Sequence, residues 1–236
     1  MSSDYQQDIL RLRDRKLSPK QIARQLGLRP SEVSAILQAQ AEQVTQERTE
    51  RGDLQPLRHC LINEGAAQVL LDSPRSEKFS RSEATDDLTG NGLAQIFVTR
   101  LDRNVLLVGS YLIDYWCLGV KNCFGPRKFD QRKYDHLVQQ SYAGFEQDAR
   151  EISLEQAQNI IWGSVAYAAG LGFSPHPDFE TAKTHLGTSS QMDQSIVFGR
   201  DGKPFYVSGP RDQPTRIIAT LREHAGDGNF DYLIQA

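Results

Sequence analysis

The spacing of apolar side chains divides this chain into a short front section of helical period and a longer body in which strand-like and helix-like runs alternate. In the front section Ile9, Leu10 and Leu12 mark a first helical stretch. Ser18 before Pro19 has the chemistry of an N-cap followed by proline at the first helical position, so a second helix is predicted from there. Ile22, Ala23 and Leu26 fall on one face of it, Gly27 stands where a sharp turn needs positive φ, and Leu28 plugs the turn. After Arg29 and Pro30, the residues Val33, Ile36 and Leu37 supply the inner face of a third helix. The following "QAQAEQVTQERTERGD" favours helix but carries almost nothing apolar except Val44. It reads as a helical arm ending at Gly52, and its composition fits a solvated linker equally well.

In the body, "GAAQVLL" at 65–71 and "GLAQIFV" at 92–98 share a phrase of glycine, alanine, glutamine and apolar residues. Each is apolar enough for a buried strand, so two similar strands are expected in one sheet. Between them "DSPRSEKFSRSEATDDLTGN" is polar and Ser-rich, the composition of a surface loop. A strand, a turn at 102–104 and a second strand from Val105 form the predicted central hairpin. "YDHLVQQSYAGFEQDA" and "SLEQAQNIIWGSVAYAAGLG" have helical spacing, the latter with Ser153 as N-cap, Gln156 three residues on, and Ile160, Ile161, Val165 and Ala168 facing the sheet. Asp201 followed by Gly202 between apolar runs signals a two-residue hairpin. "DQPTRIIATLREHAG" reads as a helix capped by Asp212 or Gln213, and "NFDYLIQ" as a closing strand. The order implies an α+β fold: a small all-α module at 1–45, a helical arm or linker at 46–58, and a mostly antiparallel sheet with packed helices at 59–236.

Charge and composition narrow the function classes. A formal net charge of −3 and 39% hydrophobic residues describe an ordinary soluble chain with no bulk positive field, so any nucleic-acid contact must be local. No apolar run approaches the roughly 20 residues of a membrane helix, and "MSSDYQQDILRLRDRK" is too charged for a signal peptide, so a cytoplasmic protein without a membrane partner is expected. Cys60, Cys117 and Cys123 cannot all pair and have no zinc-ligand spacing, which suits reduced thiols.

The front section resembles the helix-turn-helix of bacterial regulators and of the promoter-reading part of sigma factors, over residues 4–38. The resemblance implies a DNA partner, with the third helix lying in a major groove. Over 4–37 the basic residues Arg11, Arg13, Arg15, Lys16, Lys20, Arg24 and Arg29 outnumber the acids Asp4, Asp8, Asp14 and Glu32, a local excess that suits phosphates. On the reading helix Ser31, Glu32, Ser34, Ala35 and Gln38 face outward: Gln38 suits adenine, Glu32 cytosine and Ala35 a thymine methyl. No arginine there reaches for guanine, so one module would bind weakly, and a homodimer, a tandem site or help from the rest of the protein is expected. A three-helix bundle that binds protein is the bland alternative.

Chemistry in the body is less explicit. "YLIDYWCLGVKNCFG" gathers Asp114, Cys117 and Lys121 at the end of an apolar strand. A cysteine nucleophile needs a base, and His176 in "GFSPHPDF" is the available candidate, with Asp178 to orient its ring. Against this stand a buried structural cysteine, a histidine held in a turn by Pro175 and Pro177, and Asp114 and Lys121 as a surface ion pair. A weaker metal reading recruits Asp114, His176, Asp178 and His185, and no cofactor is indicated. Tyr111, Tyr115 and Trp116 read as core rather than a base-stacking platform. Phosphate-loop, nucleophile-elbow and dinucleotide-binding motifs are absent.

From 92 to 234 the chain is also similar to a group of uncharacterised bacterial proteins, on "LIDYWCLGVKN", "GFSPHPDF" and "FGRDGKPFYVSGP", with Asn122 where an acidic residue is expected. That likeness implies no activity. The leading expectation is a bacterial-type nucleic-acid-binding protein of the transcription-regulation class, whose front helices engage a DNA groove and whose α+β body senses, oligomerises or recruits. An enzyme centred on Asp114, Cys117, Lys121 and His176, or a protein-binding adaptor, are the alternatives.

Overall fold

The computed structural model describes residues 3–50, 54–72, 92–145, 148–188 and 195–234, with the side chains of 3–4 and 41–50 outside the description. The expected surface loop lies almost wholly outside the described residues. The chain forms two compact units, Met1–Asp53 and Leu54–Ala236. Among the described residues no helix is long and apolar enough to cross a membrane.

The first unit consists of α1 (Ser3–Asp14), α2 (Pro19–Leu26) and α3 (Pro30–Glu50). Ile9, Leu12, Ile22, Ala23 and Val33 form its buried core, with Leu26, Leu28, Ile36 and Leu37 packed around them. A fully buried aliphatic side chain is worth about 2 kcal/mol, so this small cluster is what holds the three helices together. Local signals fix the helix ends. Gln21 N–H donates to Ser18 Oγ and Ser18 N–H donates to Gln21 Oε1 at 2.8 Å, a reciprocal capping box. Gly27 ends α2 at φ 67°, and its N–H donates to the Ala23 carbonyl. The arm is the continuation of α3, whose helical backbone runs to Glu50, while Leu57 and Arg58 belong to the first strand of the body.

The second unit is built on a five-stranded antiparallel sheet in the order β4-β3-β2-β1-β5, with β1 (Leu57–Asn63), β2 (Leu93–Asp102), β3 (Val105–Asp114), β4 (Gly119–Phe129) and β5 (Ala149–Ile152). The expected hairpin of β2 and β3 is present, turning at Arg103 with φ 56°. Both sheet faces are covered, which is why β2 reads as an almost unbroken apolar run. Ala94, Ile96 and Val98 pack with Ile160 and Ile161 of a long helix, Leu154–Gly170. Phe97 packs on the other face with Tyr134 and Tyr142 of the helix Gln131–Tyr142. Tyr111, Tyr115 and Trp116 are core side chains.

In chain order the body's helices are α4 (Glu64–Ala67), α5 (Gln131–Tyr142), α6 (Leu154–Gly170), α7 (Phe179–Ala182) and α8 (Pro214–His224). α4 corrects an expectation. The stretch 65–71 is helical, continuing into a π-turn at Gln68–Asp72, and only its echo at 92–98 is a strand. Its buried residues Ala66, Ala67 and Leu70 recur at helical intervals, and two alanines after Glu64 favour helix over strand. The strand beside β2 is instead β1, whose first two residues, Leu57 and Arg58, are exposed.

The turn at Asp201 and Gly202 forms, with φ 55° and 80°, but the ladder it closes is a single bridge between Arg200 and Lys203. Strand β6 (Phe205–Val207) pairs in parallel with β7 (Asp231–Leu233). A third apolar cluster, Cys117, Leu171, Tyr206, Ile218, Leu221 and Phe230, underlies this pair. Neither expected cap of α8 forms. Gln213 occupies the N-cap without a side-chain bond, and Asp212 is turned to a partner on β4.

Candidate functional site

In the first unit the apolar residues of α2 and α3 point inward, and Lys20, Arg24, Arg29, Ser31, Ser34, Ala35 and Gln38 lie exposed. Glu32 is the exception among the expected base readers. It is half-buried, and its Oε2 accepts the Arg29 N–H at 2.9 Å, so the carboxylate caps α3. The outward surface therefore offers cations on α2 and the turn, and small polar or apolar groups on the first turns of α3.

In the second unit the polar residues converge where β3 turns into β4. Asp114 ends β3 almost fully buried, and its Oδ1 accepts the N–H groups of Trp116 at 3.1 Å and Cys117 at 2.9 Å. This is a side-chain-built turn, the role that suits a short carboxylate at a strand end. Burial pushes its carboxyl up to about 6, against the opposing pull of Lys121 and of the same N–H groups. Lys121, early in β4, does not bond Asp114. Its Nζ donates to Asp212 Oδ2 at 2.9 Å, and both side chains are largely shielded from solvent. The same oxygen accepts the Gly209 N–H at 2.8 Å and the Tyr206 hydroxyl at 3.3 Å. A Cβ on Gly209 would stand 3.1 Å from Asp212 and 3.2 Å from Lys121, so an added methyl would press on both ends of the ion pair. Burial opposes ionisation of Asp212, but the bonds from Lys121 and Gly209 outweigh it and hold the carboxyl below its ordinary range.

The remaining expected catalytic residues do not form a triad. Cys117 is fully buried, and burial together with the Asp114 carboxylate pushes its thiol far up, which keeps it protonated. His176 lies beside β4 through its N–H, which donates to the Val120 carbonyl at 2.9 Å. Its Nδ1 accepts the main-chain N–H of Asp178 at 3.2 Å, so the Asp178 carboxylate does not orient the ring. Among the described residues no hydrogen bond joins the Cys117 thiol to His176, and no group of three or more histidine, cysteine or acidic residues is arranged to hold a metal ion.

His185 lies elsewhere, buried, with Nε2 3.1 Å from the Val98 carbonyl. Burial and the nearby Arg100 push its pKa down to about 4, so it is a neutral core residue at physiological pH.

Three members of the β3–β4 cluster carry little sequence signal: Asp212, which the sequence places at a helix cap, and Tyr206 and Tyr167. The Tyr167 hydroxyl is buried with no hydrogen-bond partner among the described residues, and burial pushes its pKa up. The only signal for Asp212 was its place three residues after Gly209 in "SGPRD", the spacing of a carboxylate that folds back on a loop N–H. Comparison of the chain with protein-family models, with curated proteins and with solved structures finds no match.

Proposed function

We propose that this chain is a DNA-binding regulator. Its trihelical head lays the first turns of α3 in a major groove, with Ser31, Ser34, Ala35 and Gln38 toward base edges and Lys20, Arg24 and Arg29 toward phosphates. The α+β body then senses, oligomerises or recruits in the cytoplasm. The observation that supports this reading best is the division of the head. Val33 is fully buried and Ile36 packs on the same core, while the basic side chains of α2 and the turn stay exposed. A helix pair that buries one face and leaves a local cationic surface on the other suits phosphate contact in a chain of net charge −3.

The test is binding of the full chain to mixed-sequence duplex DNA across a salt series. Arg24→Ala and Arg29→Ala are each expected to weaken binding several-fold and to reduce the slope of log K against log salt by about one. Binding and slope unchanged in both variants would reject the docking.

A further inference from the structure

We propose that the outer edge of β7 pairs with the same edge of a second copy of this chain, in antiparallel fashion about a two-fold axis at Tyr232. Among the described residues few large apolar side chains remain exposed, and three of them are consecutive: Tyr232 at 47%, Leu233 at 38% and Ile234 at 52%. Scattered exposed apolar residues are unremarkable, but a run of them on a strand edge is a pairing surface.

The parallel ladder with β6 fixes which main-chain groups are free. Asp231 N–H donates to the Pro204 carbonyl at 3.0 Å, and Ser208 N–H donates to the Leu233 carbonyl at 2.9 Å. In a parallel pair alternate residues direct both polar groups to one neighbour, so Asp231 and Leu233 serve β6, and Tyr232 directs its N–H and C=O the other way. Among the described residues nothing meets them. The far side of β6 is occupied, since Phe205 N–H donates to the Trp116 carbonyl, so the pair can extend only beyond β7.

A second copy fits this edge without a misfit. With Tyr232 opposite Tyr232 of the second copy, the two residues exchange both main-chain bonds, Phe230 lies opposite Ile234, and Asp231 lies opposite Leu233. The Phe230 and Tyr232 rings already stack at 6.2 Å on one face, and Ile234 follows at the next position of that face. The register sets no carboxylate against its own copy, and Asp231 is paired within its chain to Lys203 at 2.9 Å. The edge lacks the lysine or proline that commonly blunts such strands. So short a strand buries less than the roughly 1,200 Å² of a standard interface, so the dimer is a weak, concentration-dependent one. Two heads brought together in this way would supply the second half-site that the proposed DNA reading needs, but the pairing itself does not depend on what the head binds.

The experiment is sedimentation velocity of the full chain, without DNA, from about 1 to 200 μM. The wild type is expected to pass from monomer to dimer. Tyr232→Pro removes the outward N–H and leaves the bonds of Asp231 and Leu233 to β6 intact, and it is expected to raise the dissociation constant at least about tenfold. Ile234→Lys, which sets a charge against Phe230, is expected to do the same, whereas Tyr232→Phe keeps the dimer. Should thermal melting show that Tyr232→Pro does not fold, Ile234→Lys decides. A wild type that stays monomeric throughout, as it would if the edge served a foreign strand, overturns the proposal. So does a dimer that neither disruptive variant weakens.

Discussion

The Nζ of Lys121 and the Oδ2 of Asp212 lie 2.9 Å apart across 91 residues of chain, tying the start of β4 to the loop before α8. Both are mostly shielded, so removing one partner leaves the other as a poorly solvated charge. Asp212→Asn and Lys121→Met are each expected to cost about 2 to 3 kcal/mol, read as a lower midpoint in urea. The double variant Lys121→Met with Asp212→Asn is expected to cost less than the sum of the two. Additive losses would show that the pair is not coupled.

Asp114 predicts a pH dependence of definite sign. Its folded carboxyl titrates at about 6, above the ordinary range, so the folded state holds a proton that the unfolded chain has released. Its contribution to stability is present below about pH 4 and is lost as pH rises through about 6, a change on the order of 3 kcal/mol. Asp114→Asn is uncharged and keeps an acceptor for Trp116 and Cys117. The difference in melting temperature between variant and wild type is therefore expected to move in the variant's favour from pH 4 to pH 7. His185, pushed down to about 4, acts oppositely, since its contribution is lost as pH falls from about 6.5. Comparing each variant with wild type separates the two, and a constant difference for Asp114→Asn would show that its carboxyl is ionised normally.

The three thiols are expected to be silent in the folded chain. Cys60, Cys117 and Cys123 are all buried, and burial pushes Cys60 up to about 12, Cys123 up to about 11 and Cys117 further still. A thiol reagent at pH 7.5 should label none of them until denaturant is added, because the thiolate is the reactive form. Rapid labelling of Cys117 under native conditions would revive the nucleophile reading.

Two glycines of equal φ separate backbone strain from crowding. Gly27 and Gly119 both stand at φ 67°. Around Gly27 a Cβ meets nothing within 4 Å, whereas at Gly119 it would lie 2.8 Å from the Ala168 Cβ and 2.9 Å from the Ser164 carbonyl. Gly27→Ala is expected to cost about 1 kcal/mol, from conformation alone. Gly119→Ala adds overpacking against α6 and is expected to cost about 3 kcal/mol or more by chemical denaturation. Equal losses would mean that β4 shifts freely away from α6.

The head was legible because its signals are local. A capping serine before proline, a glycine with its turn-plugging leucine, and apolar residues at helical intervals each act within four residues of chain. The body was legible where a strand is buried on both faces, as in β2 and β3, and illegible where neighbours decide. The shared phrase of 65–71 and 92–98 is helix in one place and strand in the other, because the first starts behind Asn63 and Glu64 and the second continues into a ten-residue ladder with β3. The polar cluster at the β3–β4 turn was illegible for the same reason. Asp114, Cys117 and Lys121 are close in sequence, but the partner that Lys121 takes comes from the other end of the body. The thiol's environment, in turn, is set by Tyr206, Leu221 and Phe230, far along the chain.

Helix α3 runs without a break from Pro30 to Glu50, 21 residues or about 30 Å. Among the described side chains the last to pack on the head's core is Leu37, and the helical backbone continues past it to Glu50. Because the helix is one unbroken unit, the packing that orients Ser31 and Ser34 also sets the direction of the backbone as far as Glu50.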